Sequence, residues 1–306
     1  MIKSHPLGVI LLGVIMKHKT KCESGRHGFT LLALLVSLSI VVLLVLYMAP
    51  LYAHIKARQE SSICFTNLRR LGQSTLMYAT DFDETLPLTT ANVNNQWLTN
   101  FSFPVPPSWS SLSTDRAVIG SKFVWPNTCR QFGIRESDLV CPSQTTVRLP
   151  QVRYTYSTPL ATPSIVSYSV NGLLNAYKLA NITDRARVPM LWEGRGRASG
   201  LGSVLQNPFL SCIDGNQPCI FNTSCSGITN GGTGSAFGLL STIWVHGKRN
   251  HWLFADGHVE ARVMGAVLFP SRTDRSIDLY DGYNQAGLPS TIYLDGCHPD
   301  LFRPDR

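Results

Sequence analysis

Residues 28–49 read GFTLLALLVSLSIVVLLVLYMA, and this stretch decides the architecture of the chain. From Phe29 onward it holds 21 residues without a charged side chain. A helix of that length, with a rise of about 1.5 Å per residue, is about 30 Å long and matches the hydrocarbon core of a bilayer. The sequence therefore predicts one transmembrane helix over residues 29–49.

The charges that flank this helix predict its orientation. Four basic residues precede it against a single acid, Glu23, and they are Lys17, Lys19, Lys21 and Arg26. Lys56 and Arg58 make the other flank basic too, but less strongly. Because basic flanks stay on the cytoplasmic side, we expect a single-pass protein of the cytoplasmic (inner) membrane. The part of the chain after the helix is then extracytoplasmic or periplasmic.

The residues immediately before the helix indicate which class of N-terminal signal the chain carries. A secretory signal peptide has an apolar region of about 7–15 residues followed by a small-residue cleavage site. Here the apolar run is longer, and the small residue, Gly28, precedes it. Residues 28–32, GFTLL, resemble the prepilin peptidase site of type IV pilins and type II secretion pseudopilins. The resemblance implies cleavage after Gly28, methylation of Phe29, and contacts of Phe29 and Thr30 with the peptidase. A plain signal anchor is the alternative.

One position departs from that family. Pilin-like chains usually carry glutamate at the fifth position of the mature chain, where it is thought to meet the terminal amine of a neighbouring subunit. This chain has Ala33 there. Some minor, tip-located pseudopilins also lack the glutamate, so the resemblance implies a minor subunit.

Four segments are predicted along the chain. Residues 1–28 form the leader, and because MKHKTKCESGRHG looks like a complete prepilin leader, translation is predicted to start at Met16. Residues 29–49 form the transmembrane and fibre-core helix. Residues 50–81 continue it beyond Pro50 as an amphipathic helix with apolar residues three to five positions apart. Residues 82–306 form a globular, β-rich head.

The end of the helix is followed by DFDETLP, residues 81–87. Helical periodicity stops at Asp81, and Pro87 prevents the helix from continuing. We interpret the acidic residues as a helix terminus in solvent. A calcium loop is the alternative, although the glycine and the distal glutamate of an EF-hand are missing.

Composition limits the classes of partner. The formal charge is +8, but residues 1–28 carry five Lys/Arg and one Glu, so the remainder carries 22 basic and 18 acidic residues. No basic stripe is interleaved with aromatic residues, so we expect no nucleic-acid partner. The segment 193–238 is rich in Gly, Ser and Asn and is predicted to be a surface insertion that carries partner specificity.

Seven cysteines follow the leader. They belong to the part of the chain that is predicted to be extracytoplasmic, where disulfides persist. Connectivity cannot be deduced from sequence alone. Cys64 is expected to be the unpaired thiol. The candidates that lie close in sequence are Cys129 with Cys141, and two of Cys212, Cys219 and Cys225.

The second strong signal is IWVHGKRNHWLFADGHVEARV, residues 243–263. Asp256-Gly257 predicts a two-residue type I′ hairpin, in which Trp252 faces Ala261 and Phe254 faces Val259. These four side chains should share the buried face. His246 is expected to hydrogen-bond the Asp256 turn. Metal binding is the alternative hypothesis. The ligands would be His246, His251, Asp256 and His258, whose side chains are of types suited to zinc.

His246, nine residues, then Asp256-Gly257 is the H-x9-DG signature of a bacterial family of prepilin-type proteins that is abundant in planctomycetes. The block CFTNLRRLGQSTLMYATDFDETLP, residues 64–87, also resembles that family, as do Cys141-Pro142 and FADGHVEA. The resemblance implies an α+β, pilin-like fold, with a long N-terminal helix packed on an antiparallel sheet that carries irregular insertions. It makes Cys129 a plausible partner of Cys141.

The predicted function is structural: a minor pilin or pseudopilin of a type II secretion or type IV pilus-like filament. Its partners would be prepilin peptidase, other pilin subunits, an inner-membrane assembly platform and lipid. No cofactor is expected, and no enzyme activity, because common hydrolase and protease motifs are absent from the sequence. The alternatives are a permanently anchored extracytoplasmic ligand-binding protein and a metal-dependent anchored hydrolase.

Overall fold

The computed structural model describes twelve ranges of the chain: 30–98, 102–104, 119–147, 165–193, 198–201, 203–212, 219–222, 234–238, 245–247, 249–263, 292–293 and 300–305. The predicted leader, Gly28, Phe29, Cys225 and most of the glycine-rich insertion lie outside these ranges. The chain divides into two compact units, residues 1–52 and residues 53–306.

The first unit contributes the apolar part of helix α1, which runs from Leu31 to Asp81. Its start is capped by Thr30, whose Oγ1 accepts a hydrogen bond from the backbone N–H of Ala33 (3.3 Å). Pro50 lies inside the helix without ending it. By length and composition α1 is able to cross a membrane, and the side chains over 31–52 are exposed.

In the second unit, α1 packs on the head through a stripe that begins at Cys64. Leu68, Leu71 and Ala79 of this stripe are fully buried, as the predicted amphipathic pattern requires. The stripe also buries Asn67, Ser74 and Thr75, which the apolar pattern did not include. The helix ends at Asp81, where the sequence predicted its end, and Asp83 and Glu84 follow in an exposed turn.

The described strands are short and are numbered in chain order. They are β1 Ala91–Val93, β2 Gln96–Leu98, β3 Ser102–Pro104, β4 Thr145–Val147, β5 Ile165–Val166, β6 Ser169–Val170, β7 Pro189–Trp192, β8 Ala198–Leu201, β9 Ser203–Gln206, β10 Phe209–Ser211, β11 Gly234–Gly238, β12 Arg249–Phe254, β13 Val259–Val263 and β14 Ile292–Tyr293. Within the described ranges, one further short helix, α2, covers Trp125–Thr128. Single 3-10 turns cover Ser121–Phe123, Cys129–Phe132, Glu136–Leu139, Gly172–Leu174, Leu179–Asn181 and Asp300–Phe302.

The largest sheet has six strands in the order β13-β12-β7-β6-β9-β3. All neighbours in it are antiparallel except β6 and β9, which are parallel. The long helix and antiparallel sheets together make the fold α+β. The other described sheets are smaller. One pairs β1 with β2, another has the strand order β10-β11-β14, and in a third β8 lies between β4 and β5.

Both faces of β12 are buried, because each face packs into a different hydrophobic core. On one face Leu253 packs in the core that includes Leu68 and Leu71 of α1. On the other face Trp252 stacks on Trp192 of β7, with ring centroids 5.0 Å apart and planes at 7°. Phe302, near the C-terminus, completes this second core.

The β12–β13 hairpin differs from the prediction by one residue. Trp252 faces Glu260 rather than Ala261, and Leu253 faces Val259. Only Gly257 of the Asp-Gly pair has a positive φ, at 91°, and its N–H donates to the Phe254 carbonyl (2.9 Å). This is a three-residue loop, a type I turn closed by a left-handed glycine, and the same dipeptide is compatible with both loop types.

The shift changes which side chains share a face. A slip of one residue turns every side chain of a strand to the opposite side of the sheet. Val259 therefore packs against the core of Leu253, not that of Trp252 and Phe254, and Ala261 is exposed. The predicted buried set is correct for Trp252 and Phe254 and wrong for Val259 and Ala261.

Candidate functional site

The candidate site lies where β7 ends beside the start of β12. Glu193 is the residue after β7, and its backbone N–H donates to the carbonyl of His251 in β12 (3.4 Å). Pairing of Trp192 with Trp252 sets this register. The carboxylate of Glu193 is completely buried and points at two imidazoles.

Two histidines satisfy the Glu193 carboxylate. Its Oε1 lies 2.9 Å from Nε2 of His246 and 3.1 Å from Nδ1 of His251, and its Oε2 accepts from the backbone N–H of His251 (2.8 Å). Burial alone raises the pKa of the Glu193 carboxyl, but the hydrogen bonds from His246 and His251 outweigh it and hold that pKa below its ordinary value. The residue is therefore an ionised carboxylate in the protein interior.

The Glu193 carboxylate determines which ring nitrogens of the two histidines carry a proton, because an ionised carboxylate only accepts hydrogen bonds. His246 donates from Nε2 and His251 donates from Nδ1, since an ionised carboxylate has no hydrogen to offer. The other ring nitrogen of His251, Nε2, faces α1, where the hydroxyl of Ser61 lies 3.3 Å from it. Phe65, one turn further along α1, meets the His251 ring edge-on at 5.6 Å.

A short turn holds His246 in place. The backbones of His246 and Arg249 form a two-way bridge, with N···O distances of 3.0 and 3.1 Å. Gly247 between them has φ +65°, which suits glycine. Asn250 fastens the turn to the site, because its Oδ1 accepts from Val245 N–H (2.7 Å) and its Nδ2 donates to the Glu193 carbonyl (3.2 Å).

A disulfide between Cys64 and Cys141 completes the cluster. Sγ of Cys141 lies 3.7 Å from Oε1 of Glu193 and 3.8 Å from Nε2 of His246. The backbone N–H of Cys141 donates to the Ser167 hydroxyl (2.8 Å), and the Tyr168 hydroxyl donates to the Cys64 carbonyl (3.3 Å). The cluster thus joins α1, the segment after the Glu136–Leu139 turn, and the central sheet.

This pairing corrects two cysteine predictions. Cys141 is bonded to Cys64 and not to Cys129, although 77 positions separate the two partners. The unpaired thiol among the described cysteines is Cys129, which is buried, and burial raises its pKa to about 12. The predictions used closeness in sequence, whereas packing of α1 on the head decides which sulfurs meet. Cys212 is joined to Cys219, two of the three cysteines named for the second bond.

The role predicted for His246 is also wrong, because its partner is Glu193. Asp256 instead binds His258, its Oδ1 accepting from His258 N–H (3.0 Å) and lying 2.6 Å from His258 Nδ1. Asp256 and His258 are exposed at the hairpin loop, and the His258 ring stacks on Phe254 at 4.5 Å. His246 and Asp256 therefore lie at opposite ends of β12.

The predicted metal-ligand set is split by this arrangement. His246 and His251 meet in the interior, with ring centroids 4.8 Å apart, whereas Asp256 and His258 occupy the loop. Glu193 was missed by the sequence analysis. Its only signal was position: a lone carboxylate directly after an apolar strand, at the start of a glycine-rich segment.

Of the predicted cleavage residues, only Thr30 is described, and it is exposed at the start of α1. The search for related proteins adds no assignment. No family model, curated protein or solved structure matches this chain.

Proposed function

We propose that this protein is a minor pilin or pseudopilin. Prepilin peptidase would cleave it after Gly28, and α1 would first hold it in the inner membrane and later join the core of a type II secretion or type IV pilus-like filament. The observation that carries the proposal is the division of α1. The described side chains before residue 60 are all exposed, whereas from Cys64 onward one stripe is buried in the head.

The exposed part of α1 requires an apolar surrounding. Leu31, Leu32, Ile40 and Val41 are each at least half exposed and, with 3.6 residues per turn, lie on four different sides of the helix. An apolar surface of this extent is unfavourable in water and marks a membrane or protein partner. Lipid before assembly and sister helices after assembly both satisfy that requirement.

The disulfide supports the orientation of the chain. Cys64 lies only a few turns beyond the apolar part of α1, and its bond to Cys141 is of the kind that persists outside the cytoplasm. A head on the extracytoplasmic side agrees with the basic residues before the helix. The H-x9-DG signature and residues 64–87 add the family resemblance.

We propose no catalytic role for the buried cluster. The side chains of Glu193, His246 and His251 are 0%, 8% and 7% exposed, so they face the interior of the head rather than a substrate. Their described contacts account for a structural junction between helix and sheet. A hydrolase would require these groups to reach solvent.

The mature N-terminus tests the proposal most directly. The chain is expressed with its native secretion machinery, and the expected mature form begins with N-methylated Phe29 and appears in the sheared filament fraction. Gly28→Ala should leave the precursor intact, and Gly25→Ala is the matched control within the leader. A mature chain that begins elsewhere contradicts the proposal. A protein found in membranes and never in sheared filaments favours the anchored ligand-binding alternative.

A further inference from the structure

Four potential metal ligands converge in the cluster around Glu193. One ligand atom each from Cys64, Cys141, Glu193 and His246 lies within 4.8 Å of the other three. We propose that the chain, once the Cys64–Cys141 disulfide is reduced, binds a thiophilic divalent cation, with zinc the best chemical match, between these four side chains. This inference goes beyond the proposed function and does not depend on it.

The distances already approach those of a tetrahedral site. Zn–S bonds of about 2.3 Å and Zn–N or Zn–O bonds of about 2.0 Å give ligand–ligand edges of roughly 3.3–3.8 Å. The cluster has edges of 3.8 Å from Cys141 Sγ to His246 Nε2, 3.7 Å from that Sγ to Glu193 Oε1, and 2.9 Å from Oε1 to Nε2. Little movement of Glu193 and His246 is needed.

Cys64 requires the larger change, because its sulfur must leave Cys141 and approach Glu193 and His246 within the 4.8 Å span of the cluster. After reduction the two sulfurs must separate to about 3.8 Å, the S···S edge of a tetrahedron with Zn–S bonds of about 2.3 Å. A rotation of the Cys64 side chain would supply this movement. The metal would then occupy the position between helix and sheet that the disulfide bridges in the oxidised chain.

The surroundings hold two ligands in orientation. Oε2 of Glu193 stays bound to the His251 backbone N–H (2.8 Å), and His251 Nδ1 stays against Oε1 (3.1 Å). Metal ligands in proteins are generally oriented by such outer hydrogen bonds. His246 must present a bare Nε2 to the metal, so its ring proton moves to Nδ1. Its hydrogen bond to Glu193 is replaced by shared coordination.

The conversion balances with a dithiol as reductant. The dithiol passes two electrons and two protons to the Cys64–Cys141 bond and becomes a cyclic disulfide, leaving two thiols on the protein. Zn²⁺ then binds both sulfurs as thiolates and releases two protons. Disulfide and metal are mutually exclusive, because a disulfide sulfur has no thiolate charge to donate.

The absorption spectrum of bound Co²⁺ tests this ligand set directly. The full chain in detergent is reduced, freed of reductant under nitrogen, and titrated with Co²⁺ and then Zn²⁺. We expect one equivalent of Co²⁺ with thiolate-to-cobalt charge-transfer absorption and intense tetrahedral d–d bands, displaced by one equivalent of Zn²⁺. The oxidised chain and the reduced Cys64→Ala/Cys141→Ala chain should lack these bands, and His258→Gln should retain them. Equal bands in the double variant overturn the proposal.

A second measurement needs no variant. The reduced chain is pulsed with an alkylating agent in Zn²⁺ or in a chelator, and each cysteine is quantified by peptide mass spectrometry. Zn²⁺ should slow alkylation of Cys64 and Cys141 by about tenfold or more, because a sulfur held by the metal is not free to attack the alkylating agent. Cys212, a half-buried cysteine of the other described disulfide, is the internal control and should not change. Equal rates at Cys64 and Cys141 with and without Zn²⁺ overturn the proposal.

Discussion

Nε2 of His246 lies 2.9 Å from Oε1 of Glu193, a residue 53 positions earlier in the chain. The histidine of the H-x9-DG signature therefore contacts Glu193, directly after β7, and not the Asp256-Gly257 loop of the hairpin. His251, in the same strand as the hairpin, holds the same carboxylate from the other side. The spacing of the signature places one residue at each end of β12.

Glu193→Gln should destabilise the head by about 2 kcal/mol. Three N–H groups point at the carboxylate, and an amide offers only one oxygen, so a donor must face a donor in the interior. Losing a charge-assisted hydrogen bond in a buried site costs about 1.5–3 kcal/mol. Thermal unfolding of the full chain in detergent measures the effect. Glu260→Gln is the matched control, because Glu260 is exposed, and equal melting temperatures for the two variants would contradict this account.

Removal of the Cys64–Cys141 bond should cost more than removal of Cys212–Cys219. The first closes a loop with a sequence separation of 77 and the second one of 7. Restriction of the unfolded chain then gives about 4.5 kcal/mol for the long loop and about 2–3 kcal/mol for the short one. Alanine pairs at each bond, compared in metal-free buffer by thermal melting, test the order. A larger loss for the Cys212/Cys219 pair contradicts it.

Asp138 should make the stability of the head fall at acid pH. Its carboxylate lies 3.0 Å from Arg70 of α1 and 3.2 Å from Arg135. Burial alone raises the pKa of Asp138, but the hydrogen bonds from Arg135 and Arg70 outweigh it and lower that pKa. Since the folded pKa lies below the unfolded value of about 3.9, the contribution is complete above about pH 5 and is lost as pH falls through the folded pKa.

Asp138→Asn isolates that contribution. We expect a loss of about 2 kcal/mol at pH 7, from charge-assisted hydrogen bonds, and a smaller further loss between pH 5 and pH 2 than in the parent chain. Melting temperatures across that pH range give the comparison. Glu136→Gln is the control two positions away, because its pairing with Arg130 is exposed and should contribute within about 0.5 kcal/mol. Parallel pH profiles for Asp138→Asn and the parent would refute the assignment.

Local signals were sufficient for the helix and for the presence of the β12–β13 hairpin. Apolar spacing and Pro87 placed the helix end at Asp81. Asp256-Gly257 identified the hairpin but not its register, because the dipeptide suits a two-residue loop and a three-residue loop alike. That difference of one residue misplaced Val259 and Ala261.

The candidate site depended on contacts between distant segments. Cys64, Cys141, Glu193 and His246 come from four parts of the chain, and no spacing rule links them. Burial of a carboxylate is costly unless it is paired, so Glu193 became recognisable only when both imidazoles were seen against it. The cysteine partners likewise follow from how α1 packs on the head.

Gly72→Ala should destabilise the contact between α1 and β12, although alanine is the better helix former. A Cβ at position 72 would lie 2.6 Å from Cδ1 of Leu253, which is fully buried and has little room to turn. Overpacking of this kind costs about 1–3 kcal/mol, against a gain of up to about 1 kcal/mol in helix propensity. Thermal melting of Gly72→Ala, Leu253→Ala and the double variant tests the contact. The double variant should be more stable than the two losses added together predict, because shortening Leu253 makes room for the new methyl group. Strictly additive losses would mean that helix and strand do not meet at these two residues.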